Sequence, residues 1–474
     1  MQGSCRGHAG VRQGRYNEGM RRPSSPLRLL LASLLALALS GCGLLALPLS
    51  RFEVKEPLEP RARTPLAQVM GPMEGRAPRN RSPLVLVGGL LGWGREELPG
   101  LWYWGGRRDL QTLLQAAGFR TITPSLGPLD SNWDRAVSLY YQLKGGCLDY
   151  GEEHSARFGH ARATGQCFGG LYPEWDEEHP LHLIGHSMGG QTARALASLL
   201  ADGWAEERRR PGHAPLFDGG RAGWVASVTT VSTSNLGTPA AEMPHALPLL
   251  RELLGLARVL GATEPSQVGG QYTFGLDQWG LRRREGERLD GYLTRTLGGG
   301  LGHSQDSGLH DLSTAGAAEL NCRVRTVPGV YYFSLETADT LRGMRTGWEY
   351  PQPGMTSVMN SFAAPAPPPR PPGLGNVLRS APGTVPIDPR WWRNDGLVPL
   401  VSQGSPDGPA PLLRGGGLPR PGRWTDLGLL DGYDHFDVTG LTGRYDVSGL
   451  YRALADLLGS LPPAHPAAAG TATR

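Results

Sequence analysis

The chain has 474 residues, 39% of them hydrophobic and 19% charged, a balance that excludes an extended disordered polymer and allows a large core. Its 69 Gly and 41 Pro follow no collagen-like period and no repeat, so they read as the loops of a globular protein. The net charge of +4 comes from the first 41 residues, where six Arg face one Glu; residues 42–474 carry 41 basic and 42 acidic groups, with no basic stripe for nucleic acid.

The first element, "MRRPSSPLRLLLASLLALALSGC" (20–42), has a basic start, an apolar run from Leu27 to Leu39 and then small residues. That is the pattern of an export signal over residues 1–41, with Met20 as an alternative start, and the run is too short for a spanning helix. Leu39-Ser40-Gly41-Cys42 resembles a bacterial lipobox, which would make Cys42 a lipidated N-terminus and hold the exported protein at the cell envelope. Plain secretion, with cleavage nearby, is the alternative. Residues 42–80, rich in Pro, Arg and Glu, suit a flexible tether; 81–462 read as one folded domain and 463–474 as a disordered tail.

The domain opens on "PLVLVGG" (83–89), a short apolar run ending in glycines, which predicts a buried strand. "LHLIG" (181–185) predicts a second, followed by "MGGQTARALASLLADG", where Ala and Leu recur at helical spacing until Gly203. "WVASVTTVST" (224–233) and "VYYFSLET" (330–337) predict two more. Strands alternating with helices imply an α/β fold with a mainly parallel sheet covered on both faces. The leucine-rich stretch 246–260 fits either a buried helix or a mobile lid with an apolar underside. "AAPAPPPRPPG" (363–373) is a proline-rich loop. Of the cysteines beyond Cys42, Cys147, Cys167 and Cys322 form no disulfide framework, although one bridge between Cys147 and Cys167 is allowed.

Between the second strand and its helix stands Gly-His-Ser-Met-Gly, the setting of a nucleophile elbow, which predicts Ser187 as a nucleophile. A serine hydroxyl needs a histidine to take its proton and a carboxylate to orient that histidine; in this fold both follow in the order Asp or Glu, then His. The downstream histidines are His213, His245, His303, His310, His435 and His465, and His435 in "LLDGYDHFDVTG" stands where the last member belongs. Asp395, in the Asn-Asp-Gly turn of "WWRNDGLVPL", is the carboxylate candidate. Backbone N–H groups of Met188 and Leu90 are the expected oxyanion donors, because glycines precede Leu90 and let the loop bend.

Five blocks carry a resemblance: "GWGREELPGLWYWGG" (92–106), "GPLDSNWDRA" (127–136), "GHSMGGQTAR" (185–194), "LDQWGLRR" (276–283) and "NDGLV" (394–398). They are similar to the thermoalkalophilic bacterial lipases, zinc-containing enzymes related to the staphylococcal lipases, from about Pro83 to about Leu461. The resemblance implies an α/β-hydrolase fold with a zinc-pinned insertion and a helical lid, and a triad of Ser187, Asp395 and His435. It implies a structural zinc held by Asp134, His154, His160 and Asp277, a closed set of oxygen and nitrogen donors. Calcium ligands would fall on the Gly343 carbonyl and Asp437, but an expected Asp-Pro pair is Thr442-Gly443 here, so calcium is expected to bind weakly or not at all. Two further departures are Gly88-Gly89 for His-Gly before the oxyanion residue, and Thr233-Ser234-Asn235 for Thr-Pro-His.

The expectation is therefore an exported triacylglycerol lipase that meets its substrate at a lipid interface. A short-chain carboxylesterase or polyester hydrolase is the alternative within the class. A non-catalytic surface binding protein on a hydrolase scaffold is the alternative outside it.

Overall fold

Strand β1 (Leu84–Val87) shows how sequence becomes architecture here: all four residues of Leu-Val-Leu-Val are buried, and they serve two different cores. Leu84 and Leu86 pack with Ile184, Val231 and Phe333, whereas Val85 and Val87 pack with Leu183, Val228 and Tyr332. Side chains alternate across a strand, so a continuous apolar run is what a sheet covered on both faces demands. The computed structural model describes residues 80–462 apart from 99, 244–273, 285, 288, 298, 300, 302–303, 369, 371, 379–385 and 412–418. The export segment with Cys42, the tether up to residue 79, the stretch 246–260 and the tail 463–474 lie outside the described residues.

The further strands are β2 (Thr121–Ile122), β3 (Gly146–Cys147), β4 (Cys167–Phe168), β5 (Leu181–His186), β6 (Val225–Val231), β7 (Tyr331–Ala338), β8 (Thr340–Arg342), β9 (Glu349–Pro351) and β10 (Trp424–Asp431). Six of them form one sheet in the order β10-β7-β6-β5-β1-β2, with every neighbouring pair parallel. The four strands expected from the sequence are therefore β1, β5, β6 and β7. Edge strand β10 escapes the pattern because Gly428, at φ 102°, and a register shift between Asp426 and Leu429 interrupt its alternation.

Helices α1 (Leu110–Ala116), α2 (Asn132–Lys144), α3 (Glu152–Phe158), α4 (Met188–Asp202), α5 (Gly308–Leu312), α6 (Thr314–Arg323) and α7 (Ser448–Ser460) surround the sheet. Leu110 and Leu114 of α1 and Tyr451, Leu454 and Leu458 of α7 fill one core; Val137 and Leu143 of α2 and Leu196 and Leu200 of α4 fill the other. Ser131 caps α2 by accepting from the Asp134 N–H, and α4 stops at Gly203, whose positive φ of 65° suits a residue without Cβ. The paired strands β3 and β4 are joined by a disulfide between Cys147 and Cys167, which closes the segment holding α3. No helix among the described residues is long and apolar enough to cross a membrane.

Candidate active site

Ser187 stands between β5 and α4 with φ 56° and ψ −130°, a backbone conformation that L-residues avoid. The glycines around it are required by contact. A Cβ on Gly185 would lie 2.3 Å from the Gly189 carbonyl oxygen, and one on Gly189 would lie 2.2 Å from that of Val87. Strand, turn and helix are thus pressed together, and the serine side chain is thrown forward at the C-terminal edge of the sheet.

His435, in the loop after β10, reaches it: its Nε2 is 2.9 Å from Ser187 Oγ and its Nδ1 is 2.9 Å from Asp395 Oδ2. Asp395 lies in the segment between β7 and β10, is fully buried, and takes N–H donors from Leu397 and Val398 on Oδ1 and the Thr337 hydroxyl on Oδ2. With its carboxylate so engaged, Nδ1–H donates to Asp395, and Nε2 is left to accept from the serine hydroxyl. The His435 backbone N–H also donates to the Asp395 carbonyl, at 2.8 Å. Of the other candidates, His213 pairs with Asp218 and His310 faces Glu319, while His245, His303 and His465 lie outside the described residues.

The loop after β1 packs directly on this centre, since a Cβ on Gly89 would come within 2.7 Å of Ser187 Cβ. Among the described residues, neither the Leu90 nor the Met188 backbone N–H donates to a protein acceptor, so both remain available. Leu90 and Met188 side chains close on Gly308, where a Cβ would meet Leu90 Cδ1 at 2.8 Å and Met188 Sδ at 3.2 Å.

A buried relay that sequence patterns do not reveal supports the loop. The Gly89 N–H donates to Tyr103 Oη, which donates to His186 Nδ1 at 2.6 Å; His186 Nε2–H donates to the His435 carbonyl at 2.8 Å. Burial, with the nearby His435, holds the His186 imidazole well below its ordinary pKa, and burial pushes the Tyr103 phenol up, so both stay neutral. Each neutral ring then has one donor and one acceptor role, and every one is filled.

A second cluster lies beside α2 and α3. Asp134, His154, His160 and Asp306 each point one ligand atom inward, and these atoms all lie within 4.8 Å of one another. His154 Nε2 is 3.2 Å from Asp134 Oδ1 and 3.3 Å from Asp306 Oδ2, and His160 Nε2 is 3.2 Å from Asp306 Oδ2. A tetrahedral zinc with ligands at about 2.0–2.1 Å would have ligand–ligand edges of about 3.3 Å. The same four atoms are buried and have no hydrogen-bond partner, which is the signature of a cation cage.

The structure brings Asp306, not the expected Asp277, to this cluster. Asp277 is not brought to the cluster; both its carboxylate oxygens bind Arg282, at 2.6 and 3.0 Å, on the surface. Its neighbour Gln278 supports the site instead, donating from Nε2 to Asp134 Oδ2 and Asp130 Oδ1. Burial and surrounding carboxylates push Asp130 and Asp134 upward, an electrostatic cost that a bound cation would relieve. Asp306 precedes the Ser307 cap of α5, a position with no spacing cue to the distant histidines.

The residues expected to hold calcium do not fit that ion. The Gly343 carbonyl accepts from the Gly347 N–H within the β8–β9 turn, and the Asp437 carboxylate is already taken by Thr442 Oγ1, the Asp434 N–H and Arg444 Nη1.

A parallel six-stranded sheet, with a serine on a strand-to-helix turn facing a histidine and an aspartate from later loops, defines an α/β-hydrolase. The chain belongs to the family described as lipase-like, C-terminal domain, which matches residues 80–363. It is 33% identical over 402 residues to the lipase of Staphylococcus hyicus, covering 80% of this chain and 58% of that relative, so it spans little more than half its length. Among solved structures, EstA from Clostridium botulinum superposes with a TM-score of 0.73 at 36% identity, covering 82% of this chain and 90% of that one. Lipase 1 from Pelosinus fermentans gives 0.71 at 36% identity, covering 81% and 99%. The expected kinship with the staphylococcal lipases is thus borne out.

Proposed function

We propose that the protein hydrolyses carboxylic esters of lipids, triacylglycerols foremost, through an acyl-serine intermediate. The observation that carries this reading is the continuous hydrogen-bond chain from Ser187 through His435 to Asp395, set on a strained turn. The relatives named as lipases direct it towards lipid esters. Ser187 Oγ attacks the ester carbonyl while its proton passes to His435 Nε2, and Asp395 stabilises the imidazolium so formed. The developing oxyanion is held by the N–H groups of Leu90 and Met188, each contributing about 3 kcal/mol in comparable enzymes. His435 then gives its proton to the departing alcohol, and water repeats the attack to release the fatty acid and restore Ser187.

The Asp134, His154, His160 and Asp306 cage suits zinc in a structural role, since four protein donors close a tetrahedron and leave no position for substrate. Bound there, the ion would tie the insertion that carries α3 to the segment before α5.

Fatty-acid release from emulsified trioleoylglycerol, measured beside hydrolysis of a soluble butyrate ester, tests the substrate assignment. Strong action on the emulsion is the expected result. Action on the butyrate alone would make the protein an esterase, and a folded protein inert on both would leave only a binding role. The first 41 residues support export, and Cys42 supports lipid anchoring. Metabolic labelling with a palmitate analogue is expected to mark the wild type and not Cys42→Ala; equal labelling would overturn the anchor.

A further inference from the structure

Arg444 Nη1 lies 2.9 Å from Asp339 Oδ2 and 2.9 Å from Asp437 Oδ2, so a single guanidinium nitrogen bridges two fully buried carboxylates. Asp437 belongs to the loop that presents His435, and Asp339 touches the segment that presents Asp395. Asp339 directly follows β7, and its N–H donates to the carbonyl of Asn394, the neighbour of Asp395. Asp437 stands two residues after His435, and its Oδ2 also accepts the Asp434 N–H at 3.0 Å, binding the two sides of the histidine turn together. We propose that the Arg444 guanidinium does the work of a divalent cation here, clamping the loops of Asp395 and His435 in register, and that its removal uncovers a calcium site.

The surroundings are built for a fixed guanidinium. It lies over the Tyr445 ring at 4.9 Å, and Tyr445 in turn stacks on Tyr433 at 4.1 Å and donates to the Gly432 carbonyl. A Cβ on Gly354 would come 2.9 Å from Arg444 Nη2, so the backbone there leaves room only for the arginine. Thr442 ties the arrangement together, donating from Oγ1 to Asp437 Oδ1 at 2.6 Å and accepting the Arg444 backbone N–H at 3.2 Å.

Chemically the exchange is reasonable. Two buried carboxylates repel each other and require a compensating positive charge, which a guanidinium supplies with directed hydrogen bonds and no dependence on ion concentration. Asp339 Oδ1 is buried and has no hydrogen-bond partner, so an oxygen suited to a hard cation persists beside the arginine. Arg444 touches neither substrate nor reacting atoms and is a positioning residue.

The kinetic arm of the test rests on the ester-hydrolase reading; the binding and melting arms do not, so the two can fail separately. In calcium-free buffer, wild type should show no change in kcat or Tm on adding millimolar CaCl2. Arg444→Ala should lose about tenfold or more in kcat with KM within about twofold, because misplaced loops spoil the transition state more than ground-state binding. Its Tm should fall as well. Calcium should then bind the variant with one-to-one stoichiometry in titration calorimetry and restore both kcat and Tm, while KCl should not. Arg444→Lys should retain part of the rate without calcium. If Arg444→Ala does not accumulate, Arg444→Gln carries the same measurements. Calcium binding to wild type, a variant with unchanged kcat and Tm, or a defect that calcium leaves in place would each overturn the proposal.

Discussion

Ser187→Ala is expected to lower kcat by about 10^6-fold on every ester substrate, equivalent to about 8 kcal/mol of transition-state stabilisation. The change would remove the proposed nucleophile and the proton that His435 Nε2 is placed to take, and would leave the Leu90 and Met188 N–H groups where they are. A residual rate of roughly 10^3–10^4 over water should therefore persist. His435→Ala should cost a similar factor, and the double variant little more, because the members act as a unit. Asp395→Asn should cost about 10^4-fold, since an amide donor opposite His435 favours the wrong tautomer. Alanine keeps the same Cβ in the same strained turn, so Tm should scarcely move. A folded Ser187→Ala protein that retains wild-type turnover would refute the triad.

The second large effect concerns the metal. Purified protein is expected to contain one zinc per chain, and His154→Ala combined with His160→Ala should abolish it. Without the ion, Asp134 and Asp306 remain buried opposite no positive charge, a defect that costs about 3–5 kcal/mol when one partner of a buried pair is lost. For a domain of this size that corresponds to a Tm lower by about 5 °C or more. Asp306→Asn should lose metal and Asp277→Asn should keep it, which separates the set the structure brings together from the expected one. Elemental analysis and calorimetry decide the matter; metal-free protein with an unchanged Tm would remove the site. Activity should fall only as the protein loosens, because Asp306 lies two residues before the Gly308 that supports Leu90 and Met188.

Much of this architecture was legible because a buried parallel sheet writes itself as continuous apolar runs, as in β1 and β5. The turn at Ser187 was legible for a related reason, since close approach of strand and helix admits only glycine at its flanks. Asp306 was not legible. The block "LDQWGLRR" does reach the cage, but through the amide of Gln278, and the adjacent carboxylate turns outward to Arg282. Proximity in sequence to a site did not tell which side chain faces it. The relay of Tyr103 and His186 was hidden as well: it joins residues 83 positions apart, and each is ordinary among its own neighbours. Through Gly89 it also supports the loop that carries the Gly88-Gly89 pair. Arg444 escaped for the same reason, its partners lying 105 and 7 residues away.

The conformation of Ser187 has a consequence for the history of such a chain. A non-glycine residue held at φ 56° and ψ −130° costs about 1–3 kcal/mol, and glycine in its place would adopt that geometry with little penalty. Folding by itself therefore disfavours the serine, which under the proposed ester hydrolysis only a demand for turnover would retain. A lineage released from that demand can drift towards a tighter-folding but silent protein by a single substitution. Here the step that ends the chemistry is also one that lowers the free energy of the fold.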